Sequence, residues 1–253
     1  MDDLQMQLLI DLHRSNFRQG PGGKTETKKA LMLAGLDKSR PLTIADIGCG
    51  TGASTIQLAK ELDAKITAVD LLPEFLEELQ TRTKAHGVAD KITTLSCSMD
   101  VLPFADEEFD VIWSEGAIYI MGFEKGINEW QKFLKPGGYI AISEICWITN
   151  DRPQEIQDYW QNNYAEIDTI ANKIRRLEKA GFSPSAHFIL SENCWLDNYY
   201  IPLQARHEEF LKKHHRKPKV QEIIDMEKQE FNFYKKYKDY FSYGFFIAKK
   251  LSP

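Results

Sequence analysis

Thr43-Ile44-Ala45-Asp46-Ile47-Gly48-Cys49-Gly50-Thr51-Gly52 is the stretch that decides the fold. Leu42 to Ile47 is a short apolar run with the length and composition of a buried strand. It enters a loop with three glycines in five residues, Gly48, Gly50 and Gly52. Ala53, Ile56, Leu58, Ala59 and Leu62 then recur with helical periodicity. Strand, glycine turn and helix make a place to lay a nucleotide. Glycine, lacking Cβ, lets backbone approach a ligand closely, and the helix N-terminus adds free N–H groups and a partial positive charge. Gly48 to Ala53 also fits the pattern G-x-G-x-x-G/A, so the glycines alone leave NAD and other adenosine cofactors open. Asp46 tips the balance. A carboxylate two residues before the first glycine suits a cationic amino group and sits badly beside a pyrophosphate.

A second acid follows at the expected distance. Lys65 to Asp70 reads as another strand, and Asp70 falls roughly 20 residues past the glycines, the place of a carboxylate that accepts from ribose hydroxyls. Leu71 stands beside it. The ligand that joins an adenosine to an ammonium is S-adenosyl-L-methionine (SAM), and D-I-G-C-G-T-G resembles motif I of the class I SAM-dependent methyltransferases. That resemblance makes Asp46, Gly48, Cys49, Gly50, Thr51, Gly52, Asp70 and Leu71 candidate cofactor residues.

Further motifs extend the resemblance over residues 42–144. Leu102-Pro103-Phe104, followed by Phe109-Asp110, is similar to methyltransferase motifs III and IV, as in the ubiquinone and menaquinone C-methyltransferases and their small-molecule relatives. The family commonly has G-D-A before this segment; here Ser98 takes the Asp position and Met99 the Ala position. The resemblance implies that they meet the adenine, with a hydroxyl in place of the usual carboxylate. Ser114, Glu115 and Gly116 leave the fourth strand at its carboxyl end, where ligands sit in this fold. Glu115 is the candidate catalytic residue, and Tyr119, Glu144 and His13 are further possible bases. Lys135-Pro136-Gly137-Gly138 ends a helix and leads into a strand, a structural hallmark of the family.

Upstream, Leu4, Leu8, Leu9 and Leu12 have helical spacing, and Thr25 is a candidate cap for a helix over Thr27 to Leu36. Phe17 to Gly23 is too glycine-rich to be regular. By the resemblance this loop lies over the cofactor's methionine end, which makes Arg18 and Gly20 to Gly23 candidate lid residues. Downstream, Ile156 to Ala180 reads as one or two helices, Ala186 to Leu190 as a sixth strand and Tyr243 to Lys249 as the last. Residues 191–241 intervene as a helical insertion rich in aromatics. Their spacing reads as core packing, with Trp195, Tyr199 and Tyr200 as the members able to wall a substrate pocket or a homodimer surface.

Composition excludes several classes. A net charge of −5 argues against general nucleic-acid binding. There is no apolar stretch long enough for a membrane span, and Met1-Asp2-Asp3-Leu4 lacks the layout of a signal peptide. Cys49, Cys97, Cys146 and Cys194 form no C-x-x-C pair, so they read as reduced thiols of a cytoplasmic protein and imply no metal.

The implied architecture is a single α/β domain, a Rossmann-like doubly wound sheet of seven strands, mostly parallel with the last antiparallel. It divides into an N-terminal helical lid (1–36), a SAM-binding core (37–190), the insertion (191–241) and the final strand (242–253). The function expected is methyl transfer from SAM to a small-molecule acceptor. A SAM-binding protein without transferase activity and an NAD-dependent oxidoreductase are the competing readings.

Overall fold

The structure, a computed structural model, describes residues 2–251. Met1 of the 1–36 segment and Ser252 and Pro253 of the 242–253 segment lie outside the described residues. Two helices come first, α1 (Asp3–Arg14) and α2 (Lys24–Ala34). The core then alternates β1 (Leu42–Ile47), α3 (Ala53–Glu61), β2 (Ala64–Asp70), α4 (Pro73–Ala85), β3 (Ile92–Ser96) and β4 (Phe109–Glu115). It continues with α5 (Phe123–Trp130), β5 (Leu134–Trp147), α6 (Gln154–Asn163), β6 (Asp168–Thr169), α7 (Ile170–Lys179) and β7 (Phe182–Ile189). The insertion holds α8 (Glu192–Trp195), a π-helical turn at Leu196–Tyr200, α9 (Ile201–Ala205), α10 (His207–Lys213) and α11 (Pro218–Tyr237), and β8 (Phe241–Lys250) ends the sheet.

The strand order is β3-β2-β1-β4-β5-β8-β7. Every pair from β3 to β5 is parallel, while β8 runs antiparallel to both β5 and β7. The expected α/β class, the parallel core and the antiparallel last strand are present, with eight strands rather than seven. The eighth is β6, two residues that pair with Cys146 and Trp147. Its origin is geometric: β4 ends at Glu115, opposite Ser143, so the rest of β5 has an open edge on that side. Two residues are too short a run for periodicity to reveal.

Other boundaries move for local reasons. Helix α2 begins at Lys24, so Thr25 lies inside its first turn; the N-cap is Gly23, and Gly35, with φ +58°, closes the helix. The strand expected from Ala186 begins at Phe182 and passes Pro184 through a register shift, at an edge where the missing N–H costs no ladder bond. Two apolar layers sandwich the sheet. One joins α1 to α4 with the insertion, and the other packs α5 and α7 on the opposite face. Trp195, Tyr200 and Tyr234 belong to the first layer, where Trp195 stacks on Tyr234 at 4.6 Å and donates its indole N–H to Ser242 Oγ at 3.0 Å.

One ion cluster ties the strand starts together, away from the carboxyl ends. Asp110 accepts from Arg40 Nη2 at 2.6 Å, Lys135 Nζ at 2.9 Å, and the Thr43 N–H and hydroxyl at 2.8 Å each. It thereby joins the F-D and K-P-G-G motifs, which explains why both read as structural. Burial alone would raise the Asp110 pKa; the hydrogen bonds from Arg40, Thr43 and Lys135 outweigh it and hold the carboxyl well below the usual carboxylate range. A depressed folded-state pKa contributes stability above the unfolded value of 3.8 that is lost as pH falls below it. Asp110→Ala should therefore cost about 1.5–3 kcal/mol at neutral pH. In urea titrations the gap between wild type and variant should close as the pH drops below about 4; a gap independent of pH would contradict this.

Candidate functional site

The glycine turn is shaped by contacts that a side chain would break. Gly48, Gly50 and Gly52 all have positive φ, +74°, +56° and +89°. A Cβ on Gly48 would meet Ala117 Cβ at 2.3 Å, and one on Gly52 would meet Leu79 Cδ1 at 2.0 Å. The turn is also bonded to the end of β2. The N–H groups of Gly48 and Cys49 both donate to the Val69 carbonyl, at 2.8 and 2.9 Å. Asp70 Oδ2 accepts the Gly50 N–H at 2.8 Å, and its Oδ1 accepts from Leu72 N–H at 3.0 Å. Burial raises the Asp70 pKa despite these backbone donors.

A cavity of about 390 Å³ opens over this turn. It brings together Arg18, Gly48, Cys49, Gly50, Asp70, Leu71, Ser98, Met99, Glu115 and Gly116, all expected from the sequence. Four expected residues do not line it: Asp46, Thr51, Gly52 and Ser114. Asp46 is fully buried, and its Oδ2 accepts from Ser54 Oγ at 2.8 Å and Thr55 Oγ1 at 2.6 Å, in the first turn of α3, while its Oδ1 has no described partner. Its pKa is pushed up to about 7, by burial first, with the two hydroxyls opposing and Glu115 adding to the rise. Thr51 is buried as an anchor, Gly52 packs against Leu79, and Ser114 is fully buried in β4.

The N-terminal segment folds over the cavity and is fastened at two points. Gln19 Oε1 accepts the Thr51 N–H at 2.9 Å, while its Nε2 donates to Thr51 Oγ1 at 3.0 Å and to the His13 and Asn16 carbonyls. Arg82 donates to Thr51 Oγ1 at 2.7 Å and to the Asn16 carbonyl at 2.9 Å. At the second point Arg18 Nη1 donates to Glu115 Oε2 at 2.7 Å, with the two side chains only 6% and 5% exposed. Glu115 Oε1 accepts from Thr27 Oγ1 at 2.7 Å and from the Trp113 indole at 2.9 Å. Both Glu115 oxygens are thus engaged, the geometry of a latch rather than of an idle base. Gln19 escaped the sequence reading, because nothing marks it out in the irregular loop of Phe17 to Gly23 except that position.

The other possible bases separate cleanly. His13 lies beside Glu227 at 3.5 Å and lines neither cavity over the strand ends. Glu144 is buried in β5, with its pKa raised to about 7 by burial against the opposing charge of Lys173. Tyr119 lines the first cavity and also a second of about 250 Å³. Gln19, Gly20, Pro21 and Gly116 are common to both as well. The second cavity reaches under the insertion to Trp195, Tyr199 and Tyr243. So Trp195 and Tyr199 pack in the core and wall a cavity at once, whereas Tyr200 stands behind it and donates its hydroxyl to Glu230 at 2.9 Å. No group of metal ligands occurs among the described residues, and no described helix is long and apolar enough to cross a membrane.

The Arg18–Glu115 pair generates a test. Arg18→Leu leaves Glu115 buried with an unpaired charge and should cost about 3–5 kcal/mol in urea unfolding. Arg18→Leu combined with Glu115→Leu should recover part of that loss. A double variant less stable than Arg18→Leu would contradict a paired, buried latch.

Comparison with known proteins agrees with this geometry. Residues 44–138 match the model of a methyltransferase domain family. The chain is 29% identical over 153 residues to an uncharacterised protein of Haemophilus influenzae, covering 59% of each. It is 31% identical over 111 residues to methyltransferase GfsG of Streptomyces halstedii, covering 44% of this chain and 40% of the relative. The matched stretch thus spans less than two thirds of either relative. A SAM-dependent methyltransferase from Geobacter sulfurreducens, solved with S-adenosyl-L-homocysteine, superposes with a TM-score of 0.83 over 98% of both chains at 18% identity, a likeness of fold. Residues 44–138 thus carry a methyltransferase domain, and the chain has the fold of SAM-dependent methyltransferases, whose methyl donor is S-adenosyl-L-methionine.

Proposed function

We propose that this protein transfers the methyl group of SAM to a small-molecule acceptor held in the second cavity. The observation that carries the reading is the junction of the two cavities at Gln19, Gly20, Pro21, Gly116 and Tyr119. A donor over the glycine turn and an acceptor under the insertion would meet there.

The residues around the first cavity fit an adenosine. The bare backbone of Gly48 to Gly50 leaves room for it, and Asp70, half-exposed beside it, offers carboxylate oxygens to ribose hydroxyls. Leu71 and Met99 supply apolar surface for the adenine ring. Ser98 donates to Asp100 and so presents its oxygen as an acceptor. Asp46, Thr51 and Gly52 act from behind by holding α3, the lid segment and α4 in place. A sulfonium methyl is already activated, so the protein's main task is alignment of the acceptor, which supplies about 7–11 kcal/mol of barrier reduction. The Arg18–Glu115 and Gln19–Thr51 contacts hold residues 15–23 over the site. Tyr119 is the one candidate base exposed to both cavities. The nearness in motif pattern to the ubiquinone and menaquinone C-methyltransferase-like group rests on residues 98–110 and bears on the donor half alone.

Two measurements test the reading. Asp70→Ala should weaken S-adenosyl-L-homocysteine by roughly 1.5–3 kcal/mol in calorimetry; unchanged affinity would remove Asp70 from the ribose. Labelled SAM incubated with a panel of small metabolites should yield a methylated product. A blank across the panel from a chain that binds SAM would favour the SAM-binding protein without transferase activity.

A further inference from the structure

The second cavity carries chemical information beyond its position. Aromatic pairs line its walls: Tyr119 and Tyr164 with centroids 6.0 Å apart, Tyr159 and Trp160 at 5.3 Å, Trp195 and Tyr243 at 5.1 Å, each pair edge to face. Glu230 on α11 is the only charged residue among those described that line it. Among the described residues no lysine or arginine pairs with it, and its described hydrogen bond is the one accepted from the Tyr200 hydroxyl. Glu230 is solvent-accessible and lines the cavity. Burial raises its pKa, with Glu227 adding to the rise.

Such a chamber selects by charge. Ring faces carry negative quadrupole potential and attract a cation within about 6 Å of the centroid, more strongly where water is excluded. A carboxylate without a cationic partner in the same chamber repels anions and is stabilised by an entering positive charge. A neutral acceptor would gain the apolar contact and leave the charge uncompensated.

We infer that the second cavity is a subsite for an organic cation, so that the acceptor is a small molecule bearing an amine or ammonium group. The inference rests on the reading of this cavity as the acceptor's place, but the site's preference for a cation has its own readout. Trp160 and Trp195 line the cavity and report on its occupancy.

The test uses the full chain saturated with S-adenosyl-L-homocysteine, at constant ionic strength. Titration with tetramethylammonium chloride should quench tryptophan fluorescence saturably, and tert-butanol, neutral and of similar bulk, should bind at least about tenfold more weakly. Glu230→Gln should weaken tetramethylammonium by about tenfold while S-adenosyl-L-homocysteine affinity stays within about twofold. Tyr159→Leu should give the same selective loss and serves if Glu230→Gln fails to fold. Equal binding of both probes, or tetramethylammonium binding unmoved by either variant, would overturn the cation site. Failure of S-adenosyl-L-homocysteine to bind, with tetramethylammonium still bound, would instead overturn the methyl-transfer reading alone.

Discussion

The hydrogen bond from the Gly50 N–H to Asp70 Oδ2, 2.8 Å long, fixes the relation on which the site depends. It joins the loop after β1 to the end of β2 and holds the glycine turn open beside a carboxylate. Parallel pairing brings the two strands side by side, with Ile47 opposite Val69. The Val69 carbonyl, accepting two turn N–H groups, supplies the second tie. With the turn held in this shape, positive φ at three positions becomes a requirement, and only glycine meets it without strain.

From that fixed point the rest of the site is assembled by segments distant in sequence. The N-terminal segment reaches Thr51 through Gln19 and Glu115 through Arg18, so one irregular loop touches both the glycine turn and the end of β4. A buried ion pair is weak evidence for stability as such, because desolvation offsets most of its Coulomb gain. Its use here is positional: Glu115 also binds Thr27 and Trp113, so one carboxylate sets α2, β4 and the loop in register. The insertion supplies the far wall. Its aromatic residues fill the core on one side and present ring surface to a chamber on the other, which reconciles the packing and pocket readings of the same residues.

Local features were legible in the sequence. Gly48, Gly50, Gly52 and Asp70 are close along the chain and tied to backbone requirements, so spacing alone located them. Long-range partners were not legible. Arg18 and Glu115 stand 97 positions apart, and nothing in either segment names the other. Asp46 shows a subtler limit, because its place at a strand end was visible but its hydroxyl partners, Ser54 and Thr55 in the next helix, were not. Glu230 lies on the mostly polar surface of a long helix and reads as one solvated acid among many; only the folded insertion turns it toward a chamber. Strand β6 was hidden by its brevity, and Gln19 by the irregular loop that contains it.

A crystal structure of this chain grown with S-adenosyl-L-homocysteine tests the central claim most directly. The account predicts adenosine against the bare backbone of Gly48 to Gly50, its ribose hydroxyls on Asp70, and the sulfur directed toward Tyr119 and Gly116. Ligand density elsewhere, or a ribose with no contact to Asp70, would contradict it.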